Sequence, residues 1–158
     1  MIAATGMLAA GCYGFAGGGF PPHIRTVAIL PFDNLTGDPS LTQEVQTAVR
    51  VAFEDRLGLR LAGEDQANAV VRGSITGYEA DVPLSFQQNQ PGSVTVTRRM
   101  VQIVVSVEIF DQIEARTLWQ RSGLRVEGEY EPPQEERGRE LALERLVADI
   151  VDGAQSQW

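Results

Sequence analysis

The sequence predicts an α+β fold: a two-layer sandwich with a mostly antiparallel sheet of four to five strands and two helices packed on one face. Three observations predict it. An apolar strand early in the chain is followed directly by a long amphipathic segment, a strictly alternating segment occupies 101–109, and a second amphipathic segment closes the chain. The resulting order, β-α-β-β-β-β-α, is typical of a sheet with helices on one side.

The first strand and the turn after it are specified by local chemistry. Residues 24–30 are apolar and rich in β-branched side chains, which favours a strand buried on at least one face. Pro31 has no N–H for a sheet ladder, so the strand should end there or lie on an edge. Asp, Asn and Gly residues follow and favour a turn. Asp38 is then placed to cap a helix that has Pro39 in its first turn.

The first helix is predicted from apolar residues that recur every four positions. They are Leu41, Val45, Val49, Phe53 and Leu57. This spacing indicates an amphipathic helix of about 18 residues and about 27 Å. Gly58 is the natural residue to end it.

The segment after this helix alternates between short strands and turns. We expect a short strand at 59–61, a turn or one helical turn at 63–68, and a strand at 69–82 whose glycines indicate a bulge. Residues 83–93 carry Pro, Gly, Asn and Ser, and are predicted to form a long, mobile hairpin loop.

The clearest strand has one wholly apolar face between Val101 and Ile109. Val94 and Val96 fall on the opposite parity, which predicts a bulge or an exposed tip near Arg98 and Arg99. The next strand, 118–130, places Trp119 on the face opposite Leu118 and Tyr130. A closing helix follows two prolines, with an apolar stripe formed by Leu143, Leu146, Val147, Ile150, Ala154 and Trp158.

Composition excludes several classes of function. The chain of 158 residues has 13 basic residues, all Arg, against 21 acidic ones, for a net charge of −8. Nucleic-acid binding is disfavoured because it depends on neutralising phosphates. One Cys and one His cannot form an internal disulfide or a Cys/His zinc site. No nucleophile elbow, phosphate loop or dinucleotide motif is present, so we expect no catalysis, no cofactor and no metal.

The beginning of the chain has features of a lipoprotein. Residues 1–12 are uncharged and end in Ala-Ala-Gly-Cys, which indicates a truncated lipoprotein signal segment with Cys12 as the lipidated residue. Residues 13–20 are Gly-rich and are expected to form a flexible tether to a domain at 21–158. The alternative is an apolar N-terminus with a buried free cysteine.

Several segments, taken in order, resemble the LptE family of lipopolysaccharide-assembly lipoproteins. They are Cys12 to Gly18, Pro21 to Ile29, Asn34 to Thr36, Ala69 to Tyr78, Leu118-Trp119 and Leu146 to Val151. The resemblance implies a lipoprotein anchored through Cys12 in the outer membrane and facing the periplasm. It also implies a place inside the β-barrel partner LptD, and a binding and assembly role in delivering lipopolysaccharide to the cell surface.

A second family resemblance competes with the first. The string from Val27 to Pro39 is also similar to the opening of CsgG-like and LpoB-like lipoproteins, which are secretion-pore subunits and activators of peptidoglycan synthases. The Pro-Pro-His-Ile-Arg sequence before it and the short closing helix favour the LptE interpretation.

The candidate lipopolysaccharide contacts are Arg98 and Arg99. Guanidinium groups bind phosphate bidentately, and the apolar residues near them could meet acyl chains. The alternative is a solvated arginine pair at a strand end. Trp119 and Tyr130 are interpreted as core or helix-packing residues, and His23 as a residue at a strand edge.

Overall fold

The computed structural model describes residues 19–156, which form a six-stranded mixed sheet with two helices on one face. The elements are β1 (Thr26–Ile29), β2 (Asp33–Asn34), α1 (Ser40–Asp55), β3 (Arg60–Leu61), a 3-10 turn (Glu64–Gln66), β4 (Ala69–Gln90), β5 (Ser93–Asp111), β6 (Arg116–Tyr130) and α2 (Glu135–Gln155). The strand order is β3-β1-β4-β5-β6, with β2 paired beside β1 on β4. The predicted fold class is therefore confirmed.

The sheet has one strand more than the upper limit expected, because part of the first turn pairs with β4. Asp33 lies opposite Ser74 in a parallel ladder. The three long strands, β4 to β6, are antiparallel, whereas the short strands β1, β2 and β3 join by parallel pairs. The mostly antiparallel character thus comes from the second half of the chain.

Helix α1 lies within two residues of its predicted bounds, but the predicted N-cap is wrong, because Pro39 and not Asp38 occupies that position and Ser40 is the first helical residue. Oδ1 of Asp38 accepts hydrogen bonds from the Ser40 N–H at 3.0 Å and from its hydroxyl at 2.7 Å. Gly58 follows the helix with φ of +64°, a left-handed conformation that glycine adopts without strain. The apolar stripe predicted for α1 is buried against the sheet, apart from its last residue, which is only partly buried.

The core lies between the sheet and the two helices. Every second residue of β5 from Val101 to Ile109 is at most 2% exposed, as the alternation predicts. Leu146 and Ile150 of α2 are fully buried in the same cluster. None of the helices within residues 19–156 is both long enough and apolar enough to cross a membrane.

The prediction of a long hairpin loop at 83–93 is wrong. Strand β4 continues to Gln90, and only Pro91 and Gly92 separate it from β5. Register shifts interrupt the ladder on both sides of Pro83, where a residue without an N–H can be tolerated. The polar composition that suggested a loop is compatible with a strand, because these strand ends project beyond the rest of the sheet and bury little.

The predicted orientation of Trp119 is also wrong. Ile109 pairs with Trp119 but Phe110 pairs with Thr117, so β6 carries an extra residue, Leu118. This bulge breaks the alternation of β6, and both Leu118 and Trp119 are buried. The Trp119 ring contacts α2 at Gly153, where an added Cβ would come within 2.5 Å of it.

Candidate functional site

The candidate site is a two-stranded ribbon that projects past the edge of the sheet. Strand β6 pairs with β5 only as far as Arg99, so residues 93–98 of β5 pair with β4 alone. We call residues 83–98 the ribbon. Because no third strand within residues 19–156 pairs with it, its side chains are available for contacts outside the domain.

One face of the ribbon carries three apolar side chains beside Gln88. Phe86 lies opposite Val96, and Gln88 lies opposite Val94. Paired residues, and residues two apart on a strand, share a face, so Phe86, Val94 and Val96 lie together. Phe86 and Val94 are each 62% exposed. Large apolar side chains exposed in a group indicate a contact surface more than single exposed ones do.

Arg98 and Arg99 lie at the base of this ribbon. The ladder pairs Pro83 with Arg99 and Ser85 with Arg98, so the predicted bulge is present, with Leu84 as the extra residue. Arg98 forms an ion pair with Glu129 of β6, and Arg99 forms one with Asp81 of β4. Consecutive strand residues point to opposite faces. The structure therefore places both arginines at the base of the ribbon but does not bring them into a single patch.

A second polar cluster joins the starts of the two helices, and sequence reasoning missed it. The two helices run side by side in the same direction, so their positive dipole ends lie together. Arg139 of α2 lies 3.2 Å from Oδ2 of Asp38 and 3.1 Å from Oε1 of Glu44, and its guanidinium stacks on Tyr78 at 5.1 Å from the ring centroid. The negative charges of the carboxylates stabilise the positive ends of the helix dipoles. The positive charge of Arg139 in turn reduces the repulsion between the carboxylates.

The titration of this cluster reflects its contacts. The hydrogen bond from the Ser40 hydroxyl, followed by its N–H and the charge of Arg139, lowers the pKa of Asp38 against the opposing effect of burial. Burial raises the pKa of Tyr78. The Glu135-to-Arg139 spacing of four residues was a signal for an ion pair within α2, but nothing in the sequence pointed to Tyr78.

A hydrogen bond between His23 and Asp111 joins the segment before β1 to the end of β5. Nε2 of His23 lies 2.6 Å from Oδ2 of Asp111, which is fully buried. The other carboxylate oxygen accepts N–H bonds from Ile113 at 2.8 Å and Glu114 at 3.0 Å. Burial raises the pKa of Asp111, but these hydrogen bonds outweigh it and hold the pKa below its ordinary value.

The same cluster has side chains of metal-ligating types. His23, Asp111 and Glu114 each offer an atom within 4.8 Å of the others. However, His23 bonds directly to Asp111, whose second oxygen already holds two backbone N–H groups. The arrangement is explained as a structural hydrogen-bond network. His23 is thus a structural residue, with a partner that lies 88 positions away and that the sequence did not indicate.

Tyr130 and Trp119 both pack under α2, as their structural interpretation predicts. The Tyr130 hydroxyl donates to the carbonyl of Ala80 at 2.8 Å, and its ring lies against Gly138. Cys12 and the tether up to residue 18 lie outside the described residues, as does Trp158.

These features define a small α+β sandwich with helices on one face of a mixed sheet and a projecting hairpin. The sequence matches the family model for LptE, described as lipopolysaccharide-assembly, over residues 24–156. The chain therefore belongs to the LptE family, and the resemblance found in its sequence is confirmed. Membership of an assembly family is consistent with the expectation that the protein is not an enzyme.

Solved structures share this fold at low sequence identity. Protein XCC0632 from Xanthomonas campestris superposes with a TM-score of 0.54 at 12% identity, covering 85% of each chain. The hypothetical protein CT253 from Chlamydia trachomatis gives 0.53 at 11% identity, covering 83% of this chain and 98% of that one. A putative lipoprotein from Caulobacter crescentus gives 0.50 at 14% identity, covering 84% and 88%. Among curated proteins, no sequence matches.

Proposed function

We propose that this LptE-family protein is an outer-membrane lipoprotein that assembles with an LptD-like β-barrel and helps to deliver lipopolysaccharide to the cell surface. The observation that carries the proposal is the family match, which extends over residues 24–156 and so includes the whole sandwich. The role is binding and assembly, without catalysis. The membrane anchor in this proposal is a lipid on Cys12, which holds the domain on the periplasmic side.

The ribbon is the proposed contact for lipopolysaccharide. Its apolar face, with Phe86 and Val94 largely exposed, suits acyl chains. Arg98 and Arg99 suit the phosphates, since guanidinium groups bind phosphate through two parallel hydrogen bonds. The net charge of −8 opposes binding of an anionic glycolipid, so the attraction must come from the two arginines at the base of the ribbon.

The present partner of Arg98 does not prevent this role. The Arg98–Glu129 pair is about half exposed on both sides, at 55% and 45%. Exposed ion pairs contribute only about 0–1 kcal/mol. Exchanging a carboxylate for a phosphate at such a site therefore costs little free energy.

A pull-down from detergent-solubilised membranes of the native organism tests the proposal. A C-terminally tagged protein is captured, and stoichiometric partners are identified by mass spectrometry. We expect to recover an LptD-like β-barrel in a one-to-one ratio with this protein. Recovery of a peptidoglycan synthase, or of a ring of this chain alone, would overturn the proposal and favour the CsgG-like and LpoB-like alternative.

A further inference from the structure

The outer surface of the helix layer has a groove that the proposed function does not use. It lies between α1 and α2 and consists of two adjoining depressions of about 840 and 600 Å³. Thr47, Ala48, Glu140 and Leu143 line both of them, so they form one continuous channel. Helix α1, with 16 residues, extends about 24 Å along it. We call this channel the inter-helix groove.

The inter-helix groove has an apolar floor and acidic walls. Its floor includes Ala48 and Leu143, which are half-buried, and Val51, which is 51% exposed. The acidic side chains that line it are Glu44, Asp55, Glu135, Glu136, Glu140 and Glu144, and the basic ones are Arg56 and Arg139. A concave apolar strip between like charges is the pattern of a groove that receives an amphipathic segment of opposite charge.

The charge of the walls is only partly compensated, although Glu140 pairs with Arg137. Arg139 is already engaged by three carboxylates and by the Tyr78 ring. Glu136 and Glu144 have no hydrogen-bond or ion-pair partner within residues 19–156. Carboxylates that face one another across an apolar strip repel, and a cationic partner would relieve that repulsion.

Charge decides between the possible occupants. Residues 1–18 of this chain contain no charged side chain and cannot supply cations. A second copy docked helix to helix would set acidic walls against acidic walls. An anionic glycolipid would be repelled in the same way.

We propose that the inter-helix groove binds an Arg- or Lys-rich amphipathic helix of a partner polypeptide. Its cations would pair with Glu136, Glu140 and Glu144, while its apolar side chains rest on the floor. This surface lies on the helix layer, away from the ribbon, so it can be tested separately from lipopolysaccharide binding.

The probe is an 18-residue fluorescein-labelled helical peptide with Leu at every third or fourth position and Arg on both flanks. Fluorescence anisotropy with the full chain is expected to give saturable binding, at least tenfold weaker in 0.5 M NaCl than in 0.05 M. A peptide with every Arg changed to Glu should not bind. Equal binding of the two peptides would overturn the proposal.

Two charge-reversal pairs locate the binding surface. Glu140→Arg with Glu144→Arg should raise the Kd of the Arg peptide at least tenfold. Glu54→Arg on α1 with Asp149→Arg on α2 makes the same change of charge outside the groove and should change this Kd less than twofold. Equal effects of the two pairs would show non-specific attraction and overturn the proposal.

A third variant and a size measurement complete the test. Val51→Ser, at an exposed floor position, should weaken binding about threefold without changing the unfolding midpoint, and an unchanged Kd would contradict an apolar floor. Light scattering should show a monomer at the concentrations used. Self-association abolished by the groove pair would instead assign the groove to a second copy and overturn the proposal.

Discussion

Gly128 of β6 and Gly138 of α2 are in backbone contact. A Cβ added to Gly128 would lie 1.8 Å from the carbonyl oxygen of Gly138 and 2.7 Å from the N atom of Ala142. Both atoms belong to the helix backbone, which cannot move aside as a flexible side chain can. The absence of a side chain at Gly128 therefore sets how closely α2 packs on the sheet, and with it the position of the inter-helix groove.

Gly128→Ala is expected to destabilise the fold by about 3 kcal/mol, because either the strand or the helix must shift to make room. Urea unfolding followed by circular dichroism measures the change. Gly63→Ala is the matched control, since Gly63 has φ of −66° and nothing within 4 Å of an added Cβ. It should be neutral or stabilising by up to about 1 kcal/mol. Equal effects at the two positions would contradict the contact.

Regular periodicity made most of the sandwich predictable from the sequence. The four-residue recurrence in α1 and the alternation in β5 each mark a buried face, because one side of each element meets the core and the other meets water. Gly58 could be assigned to the end of α1 since its left-handed conformation depends on local residues, whereas the start was placed one residue too early because Pro39 takes the N-cap position predicted for Asp38.

The errors arose where long-range pairing overrides local preference. The residues of the ribbon have turn-like composition, yet they extend because each strand supplies the other with backbone partners. The extra residue Leu118 shifts the register of β6, and no local pattern reveals that Trp119 turns inward as a result. The His23–Asp111 pair forms because β1 pairs with β4 in parallel and β5 pairs with β4 on its other side.

The His23–Asp111 pair should contribute stability that depends on pH. Since the pKa of Asp111 is lower in the folded state than its ordinary value of about 3.9, the contribution is present above that value and is lost as pH falls through the folded-state pKa. Asp111→Asn is expected to lower the free energy of unfolding at pH 7 by about 1–3 kcal/mol and to flatten its decline below pH 4. Urea unfolding at a series of pH values measures both effects.

Asp65→Asn removes one carboxyl charge from an exposed turn and serves as the control for this experiment. If Asp111→Asn and Asp65→Asn gave the same stability at pH 7, the buried pair would contribute nothing to the fold.

Arg139 should stabilise the junction of the two helix starts. Arg139→Ala leaves Asp38, Glu44 and Glu135 close together without their shared cation, and removes the stack on Tyr78. We expect a loss of about 1–2 kcal/mol, because the site is only partly exposed and the ion pairs and the stack are lost together. Arg139→Lys should recover only part of this, since an ammonium group cannot contact several carboxylates and stack at once.

Arg137→Ala is the matched control on the same helix. Its ion pair with Glu140 is 54% and 56% exposed, and such pairs change stability by less than about 1 kcal/mol. If Arg137→Ala lowered the free energy of unfolding as much as Arg139→Ala, the cluster around Arg139 would have no special role in stability.

The ribbon variants test the proposed lipopolysaccharide contact. Arg98→Glu with Arg99→Glu should weaken binding to purified lipopolysaccharide at least tenfold, because two phosphate-binding groups become repulsive, while the unfolding midpoint changes little. Phe86→Ser should weaken binding several-fold through the loss of an acyl contact. Surface plasmon resonance on immobilised lipopolysaccharide measures both changes.

Arg121→Glu with Arg125→Glu makes the same change of net charge at exposed positions of β6, away from the ribbon. This pair should leave binding within twofold of the unmodified protein. Unchanged binding by the Arg98 and Arg99 pair would locate the contact elsewhere, and equal losses in both pairs would indicate only general repulsion.

Cys12→Ala tests the lipid anchor separately from the fold, because Cys12 precedes the residues matched by the family model. Buried acyl chains contribute about 0.8 kcal/mol per CH₂ group, and stable anchoring requires more than one chain or a second membrane signal. A tagged chromosomal copy in the native organism should therefore fractionate with the outer membrane, whereas the variant should appear in the soluble periplasmic fraction. Labelling with an alkyne fatty acid should mark the unmodified protein and not Cys12→Ala. If the variant stayed with carbonate-washed membranes as fully as the unmodified protein does, membrane attachment would have to come from protein contacts and not from a lipid on this cysteine.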